Sequence, residues 1–228
     1  MTLHARDDRR ADDARAALPG AEDVLVGDLS TLAGMRAVAD QAGSYDAVVH
    51  NAAVGYQERH RVETADGLAQ VFAVNVLAPY LLTALLPRPS RLVYLSSGMH
   101  RGGDPSSLDD LGWTRRRWNG SQAYSDSKLW DLVLALAVAR RWPDVLSNAV
   151  DPGWVATRMG GRGASDDLAQ GPVTQAWLAA GDDPEARTTG GYWYHQRRRP
   201  AHPAASDPAV QDGLLAACAE LSGVDLPG

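Results

Sequence analysis

Short apolar runs alternate with longer amphipathic stretches along this chain. That alternation marks strands and helices following one another in a parallel sheet. The apolar runs predict strands over residues 2–5, 23–27, 45–51, 91–96, 146–150 and 191–195. Helices are predicted over 9–18, 31–42, 64–86, 122–141, 172–180 and 208–221. Within 64–86, Val71, Val74, Ala78, Leu81 and Leu85 recur at three- and four-residue steps and form one buried stripe. Pro79 falls inside that stripe, so a kink or a second short segment is expected there. With no internal repeat and no linker, the pattern predicts one α/β domain over 1–228, a doubly wound parallel sheet. Residues 98–120 and 160–171 lack a period and are expected to be functional loops. Open α/β sheets bind ligands in such loops, beyond the C-terminal ends of the strands.

Composition narrows the classes. Of 228 residues 45% are apolar, enough for a real core. Lys and Arg number 22 against 28 Asp and Glu, so the net charge of −6 gives no support to nucleic-acid or anionic-membrane partners. Arg197, Arg198 and Arg199 are read as a solvated loop. The single cysteine, Cys218, lies on the apolar side of the last helix and is expected to be a buried thiol. One cysteine permits no internal disulfide, which fits a reducing cytoplasm. No apolar run reaches membrane-spanning length, and the first ten residues are charged. A soluble cytoplasmic protein with no metal site is expected.

The chemistry concentrates at Tyr124 and Lys128, four apart on a predicted helix and therefore on one face. A free phenol, with a pKa of about 10, is a poor proton-transfer catalyst at neutral pH. A nearby ammonium favours the phenolate and brings the group into use. Upstream, one predicted strand ends in Ser96-Ser97, where a hydroxyl faces the ligand crevice and can hold a carbonyl oxygen. Asn75 sits mid-helix, against its propensity, and needs a partner there. Pro152-Gly153 follows another strand and is a turn that admits a flat ring close to the backbone.

In this order, these residues resemble the short-chain dehydrogenases/reductases, from residue 1 to about residue 200. Asn51-Ala52-Ala53 is similar to the family's Asn-Ala-Gly element, with Ala in place of Gly. Asn75 matches its structural and proton-relay asparagine, Ser97 its serine, and Tyr124 with Lys128 its Tyr-x-x-x-Lys pair. Pro152, Gly153 and Thr157 match the turn that holds the nicotinamide carboxamide, and Asp28-Leu29 the element that meets the adenine. The resemblance implies a Rossmann-like fold and a nicotinamide cofactor that carries hydride. It also implies that Tyr124 donates a proton to a carbonyl oxygen held by Ser97, that Lys128 tunes the tyrosine and holds the ribose, and that Asn75 keeps a water in the relay. Ser97 and Tyr124 are 27 residues apart, about twice the usual family separation. That insertion, with Trp113 and Trp118, resembles the retinol-dehydrogenase-like branch, whose members take bulky apolar carbonyls or alcohols. Trp154, Met159, Trp193 and His100 join this list of expected substrate contacts. Related proteins dimerise through the helix of the Tyr–Lys pair, so Leu132, Val133 and Leu136 are candidates for a homodimer face.

Arg6 follows the first predicted strand, where an Asp would clasp a ribose hydroxyl and an Arg would accept a 2′-phosphate, so NADP is expected over NAD. One family element is missing. The glycine-rich phosphate loop belongs some 20 residues before the Arg6 position, and Gly160, Gly161 and Gly163 lie far downstream. The chain is therefore expected to lack the family's first strand and first helix, to be N-terminally shortened, and to bind NADPH weakly or not at all. The gap would be closed by direct pairing of the flanking strands, by a neighbouring chain or by a disordered N-terminal segment. Two rivals to a carbonyl reductase stand beside it. One is a non-redox enzyme using Ser97, Tyr124 and Lys128 for cyclisation, isomerisation or elimination; the other is an inactive homologue serving a regulatory or assembly role.

Overall fold

A computed structural model describes residues 1–157 and 159–228. Seven strands form in chain order: β1 (Thr2–Ala5), β2 (Asp23–Val26), β3 (Ala47–His50), β4 (Arg91–Leu95), β5 (Leu146–Asp151), β6 (Gly191–Tyr194) and β7 (Arg197–Arg199). The helices are α1 (Asp8–Ala17), α2 (Leu32–Gln41), α3 (Gln70–Phe72), α4 (Ala78–Leu85), α5 (Gly120–Arg141), α6 (Val173–Ala180) and α7 (Pro208–Ser222). Their starts are capped as the sequence dictates. Asp7, Thr31, Asn119 and Asp207 each accept a backbone N–H of the first turn.

The strands fall into two sheets. β3, β4, β5 and β6 are parallel neighbours, and β7 closes that sheet antiparallel to β6. β1 and β2 form a separate parallel pair, and among the described residues no ladder joins them to the larger sheet. Direct pairing of the flanking strands is thus not how the two parts meet. They are joined through helices: α2, which follows β2, packs on α4, with Met35 and Val38 buried beside Leu77 and Leu81. Val49 on the edge strand β3 is 36% exposed, an unusual state for a Val in the middle of a strand. Helices cover both faces of the large sheet, α5 against β4 and β5 on one side and α6 against β3, β4 and β5 on the other.

Two expectations change. Arg197–Arg199 is an exposed edge strand rather than a loop, and its charged side chains suit an edge that must not pair further. Leu132 and Val133 are fully buried in the chain's own core, with Leu214, Leu215 and Cys218 of α7 in the same cluster, so they form no free dimer face; Leu136 is partly buried against that core. Cys218 is buried, and burial pushes its thiol well above the usual range. Pro79 acts as expected but through a π-helical turn, Ala73–Leu77, just ahead of it. Proline lacks the N–H that an α-helix would aim at Asn75 C=O four residues back, so the helix widens there instead of breaking. Among the described residues no helix is long and apolar enough to cross a membrane.

The helical joint makes a stability prediction. Met35→Ala should cost about 2–5 kcal/mol in urea unfolding, because it empties a fully buried site between the two parts. A loss below about 1 kcal/mol would show that α2 does not carry the coupling.

Candidate active site

The site lies at the C-terminal ends of β3, β4 and β5, where the strands hand over to loops. One cavity of about 1020 Å³ opens there, and Asn51, Ala53, Ser97, Tyr124, Lys128, Pro152, Gly153 and Thr157 all line it. The expected catalytic and nicotinamide-end residues therefore converge on one space, except Asn75, which does not line it. The expected adenine-end residues lie elsewhere. Arg6 and Asp28 are exposed past the ends of β1 and β2. Leu29 is buried in the core, and Ala52 packs against it.

Local bonds explain how the triad is held. Ser96 Oγ donates to Lys128 C=O at 2.7 Å, tying the end of β4 to α5. Ser97 caps a 3-10 turn, Gly98–Gly102, by accepting from Met99 N–H at 3.2 Å. Asn75 spends both amide N–H groups, on Val54 C=O at 3.1 Å and Ser127 Oγ at 3.0 Å, while its Oδ1 accepts from Val54 N–H at 2.8 Å. Its side chain thus fastens the loop after β3 to α5 from behind the cavity. The turn after β5 is equally fixed. Asp151 accepts from Gly153 N–H at 2.9 Å and from Tyr192 O–H at 3.1 Å. Gly153 has φ of 86°, and a Cβ there would stand 2.5 Å from Asp166 Oδ2, so only glycine fits. Asp166 in turn accepts from Trp154 N–H at 2.8 Å and Tyr194 O–H at 3.3 Å, pinning the following loop.

Tyr124 is buried, its ring edge-on to Tyr56 at 5.6 Å, and its hydroxyl donates to Met159 Sδ at 3.8 Å. Burial raises its pKa above the ordinary phenol value; Lys128 and Ser97 pull down, while Asp131 and Asp151 push up. Lys128 Nζ lies 5.6 Å from the Tyr124 ring centre. That nitrogen donates to Leu95 C=O and to Asp131 Oδ2, both at 2.7 Å.

Of the expected substrate contacts, Trp154 and Met159 line the cavity. The others do not. Trp193 packs edge-on to Trp177 in the core, His100 is fully buried against Tyr192, and Trp113 and Trp118 pack on each other. Trp118 Nε1–H also donates to Glu58 C=O, so the long 98–120 insertion clamps the loop after β3 rather than reaching the cavity with its tryptophans. Sequence reasoning missed Tyr56, Asp131, Asp151 and Asp166. Asp131 had a signal, a carboxylate three residues after Lys128 on an apolar helix; Asp166 had none.

No protein-family model matches the chain. It is 37% identical to a short-chain dehydrogenase of Gibberella zeae, over 99% of this chain and 88% of that one. It is 39% identical to a Streptomyces protein named as a daunorubicin C-13 ketoreductase, over 71% of this chain and 59% of that one. The crystal structure of a protein from Mycobacterium paratuberculosis superposes with a TM-score of 0.84 at 27% identity, covering 100% of this chain and 85% of that one.

The raised phenol is directly measurable. In an ultraviolet titration, the difference between the native chain and Tyr124→Phe should show one tyrosine ionising above the ordinary value of about 10. Ionisation near neutrality would mean that Lys128, not burial, sets this group.

Proposed function

This chain belongs to the short-chain dehydrogenase/reductase family, and from that premise we propose that it uses NADP(H) to reduce a ketone or aldehyde of a bulky apolar molecule, or to oxidise the alcohol. The observation that carries the reading is the meeting of Ser97, Tyr124 and Lys128 with the Pro152-Gly153 turn around one cavity. The Streptomyces relative's name describes a ketoreductase, the same reaction class. Trp154, Val155, Met159, Leu168 and Tyr56 supply apolar wall, which supports an apolar substrate.

The nicotinamide end of the cofactor fits the residues present. The Pro152-Gly153 turn lines the cavity with the Gly153 backbone fixed at positive φ, and Asn51, Thr157 and Lys128 add polar groups around it. When bound, the nicotinamide supplies or takes the hydride. Tyr124 then gives its proton to the carbonyl oxygen. Its raised pKa keeps it protonated at neutral pH, so the resting state is the acid and favours reduction. Ser97 Oγ is within the same wall to bind that oxygen, and Lys128 stabilises the phenolate left behind. Arg6 is exposed, its ion partner among the described residues is its neighbour Asp7 at 3.4 Å, and its guanidinium is offered to a 2′-phosphate. The rival reading is proton transfer without redox by the same Ser97, Tyr124 and Lys128.

Assayed against a panel of aromatic and aliphatic ketones at high NADPH, Tyr124→Phe should lose about 10²–10⁴-fold in kcat, with Lys128→Ala nearly as impaired. A Tyr124→Phe variant that keeps most of its activity would end the assignment. Ketone-free turnover of other carbonyl or alkene substrates, independent of NADPH, would favour the rival.

Fluorescence titration should find NADPH bound more tightly than NADH, and Arg6→Asp should reverse the order. Equal affinities in the native chain would make Arg6 a plain surface residue.

A further inference from the structure

A second charge lies buried beside the catalytic lysine. Asp131 sits three residues after Lys128 on α5, and both side chains are only 3% exposed. We propose that Asp131 is a positioning residue, the fixed counter-charge that keeps Lys128 charged and directs its remaining N–H to the cavity that Tyr124 also lines. Its consequence for turnover rests on the reductase reading.

An ammonium has three N–H donors and no acceptor. Lys128 gives one to Leu95 C=O at the end of β4 and one to Asp131 Oδ2 one helical turn ahead, each at 2.7 Å. With two bonds fixed from two different elements, the tetrahedral nitrogen has one direction left for the third. Lys128 lines the cavity, so that third donor is the one available to the site. Charge makes the same demand. A lysine this buried with no counter-ion would shed its proton, and a neutral amine would no longer favour the phenolate of Tyr124. Stability does not explain the pair, because buried ion pairs are often matched or bettered by apolar residues of similar volume. The neighbours on either side, Trp130 and Leu132, are fully buried core residues, and the hydrogen bond from Lys128 is what answers the carboxylate there.

The pair also sets a pH limit. Burial pushes the Asp131 carboxyl up to about 6, with Lys128 pulling it back down. Around it, Tyr94 on β4 and Tyr124 on α5 both feel its charge and both have raised pKa values, so both stay neutral near pH 6. His50 on β3 stacks on Tyr94 at 4.8 Å, and burial pushes its pKa down to about 3, so it is neutral there as well. Asp151 on β5 acts on Tyr124 from beyond the pair. As pH falls through about 6, Asp131 takes a proton and Lys128 loses its counter-charge.

Two measurements on the full chain decide this. The first is the pH dependence of kcat for ketone reduction at high NADPH. The native chain should lose activity below about pH 6, while Asp131→Asn should show a plateau lowered by about tenfold or more and no acid limb. An Asp131→Asn variant with the native plateau and the native limb would overturn the proposal. The second needs no turnover: carbon-13 NMR of labelled aspartates, with the Asp131 signal assigned by its loss in Asp131→Asn. Its carboxyl should titrate near 6 in the native chain and distinctly higher in Lys128→Met. A titration indifferent to Lys128→Met would also overturn it. If the native chain reduces no ketone at any pH, the reductase reading fails by itself and the carboxyl titration alone decides whether the pair exists.

Discussion

The organising constraint is the burial of α5. This helix carries the Tyr–Lys pair, and it also fills the centre of the core, with Leu129, Trp130, Leu132, Val133 and Leu134 almost wholly excluded from water. Its polar residues between Ser125 and Asp131 are buried with the rest. A buried polar group without a partner costs several times what a satisfied one contributes, so partners must be brought to the helix. Asp126 draws in the 98–120 insertion, accepting from Asp104 N–H at 2.9 Å and pairing with Arg116 at 3.1 Å. Ser127 receives Asn75, and through it the loop after β3. Lys128 takes the end of β4 and Asp131. The walls of the cavity are thus assembled by the needs of one helix.

A second consequence concerns rigidity. The turn after β5 is held by Asp151 and Asp166 with backbone and tyrosine partners, and Gly153 leaves no room for a side chain. This wall of the cavity is therefore preformed, with little left to order. The other end differs. The pair β1–β2 meets the large sheet through α2 and α4 rather than through a ladder. Helix packing tolerates small slides that a hydrogen-bonded ladder does not, so the residues read as adenine contacts stand on the less firmly registered part.

Much of this could be read from the chain. Strand and helix positions follow from apolar spacing because burial on one or two faces imposes those periods, and the elements found differ from that reading by a few residues at their ends. The helix over 64–86 is the largest such departure, starting at Gln70 because Glu63 and Ala69 pair in a bridge first. The Arg197–Arg199 strand was hidden because three arginines carry no apolar alternation; its strand state comes from β6 alongside.

The candidate site divides in the same way. By itself the sequence determined which residues are the candidates for the chemistry: Ser97 at a strand end, Tyr124 and Lys128 on one helical face, Gly153 in a turn. Each follows from local spacing, which a chain encodes directly. Only the tertiary structure decided what surrounds them. Trp193, His100, Trp113 and Trp118 look like ligand contacts by residue type, yet they pack in the core or on each other, because whether an aromatic ring faces a cavity depends on elements far away in sequence. The depth at which Asp131 and Lys128 are sealed is likewise a property of the packing of β4, α5 and their neighbours together. Spacing can put two charges on one helix; only the exclusion of water around them decides how strongly each holds the other.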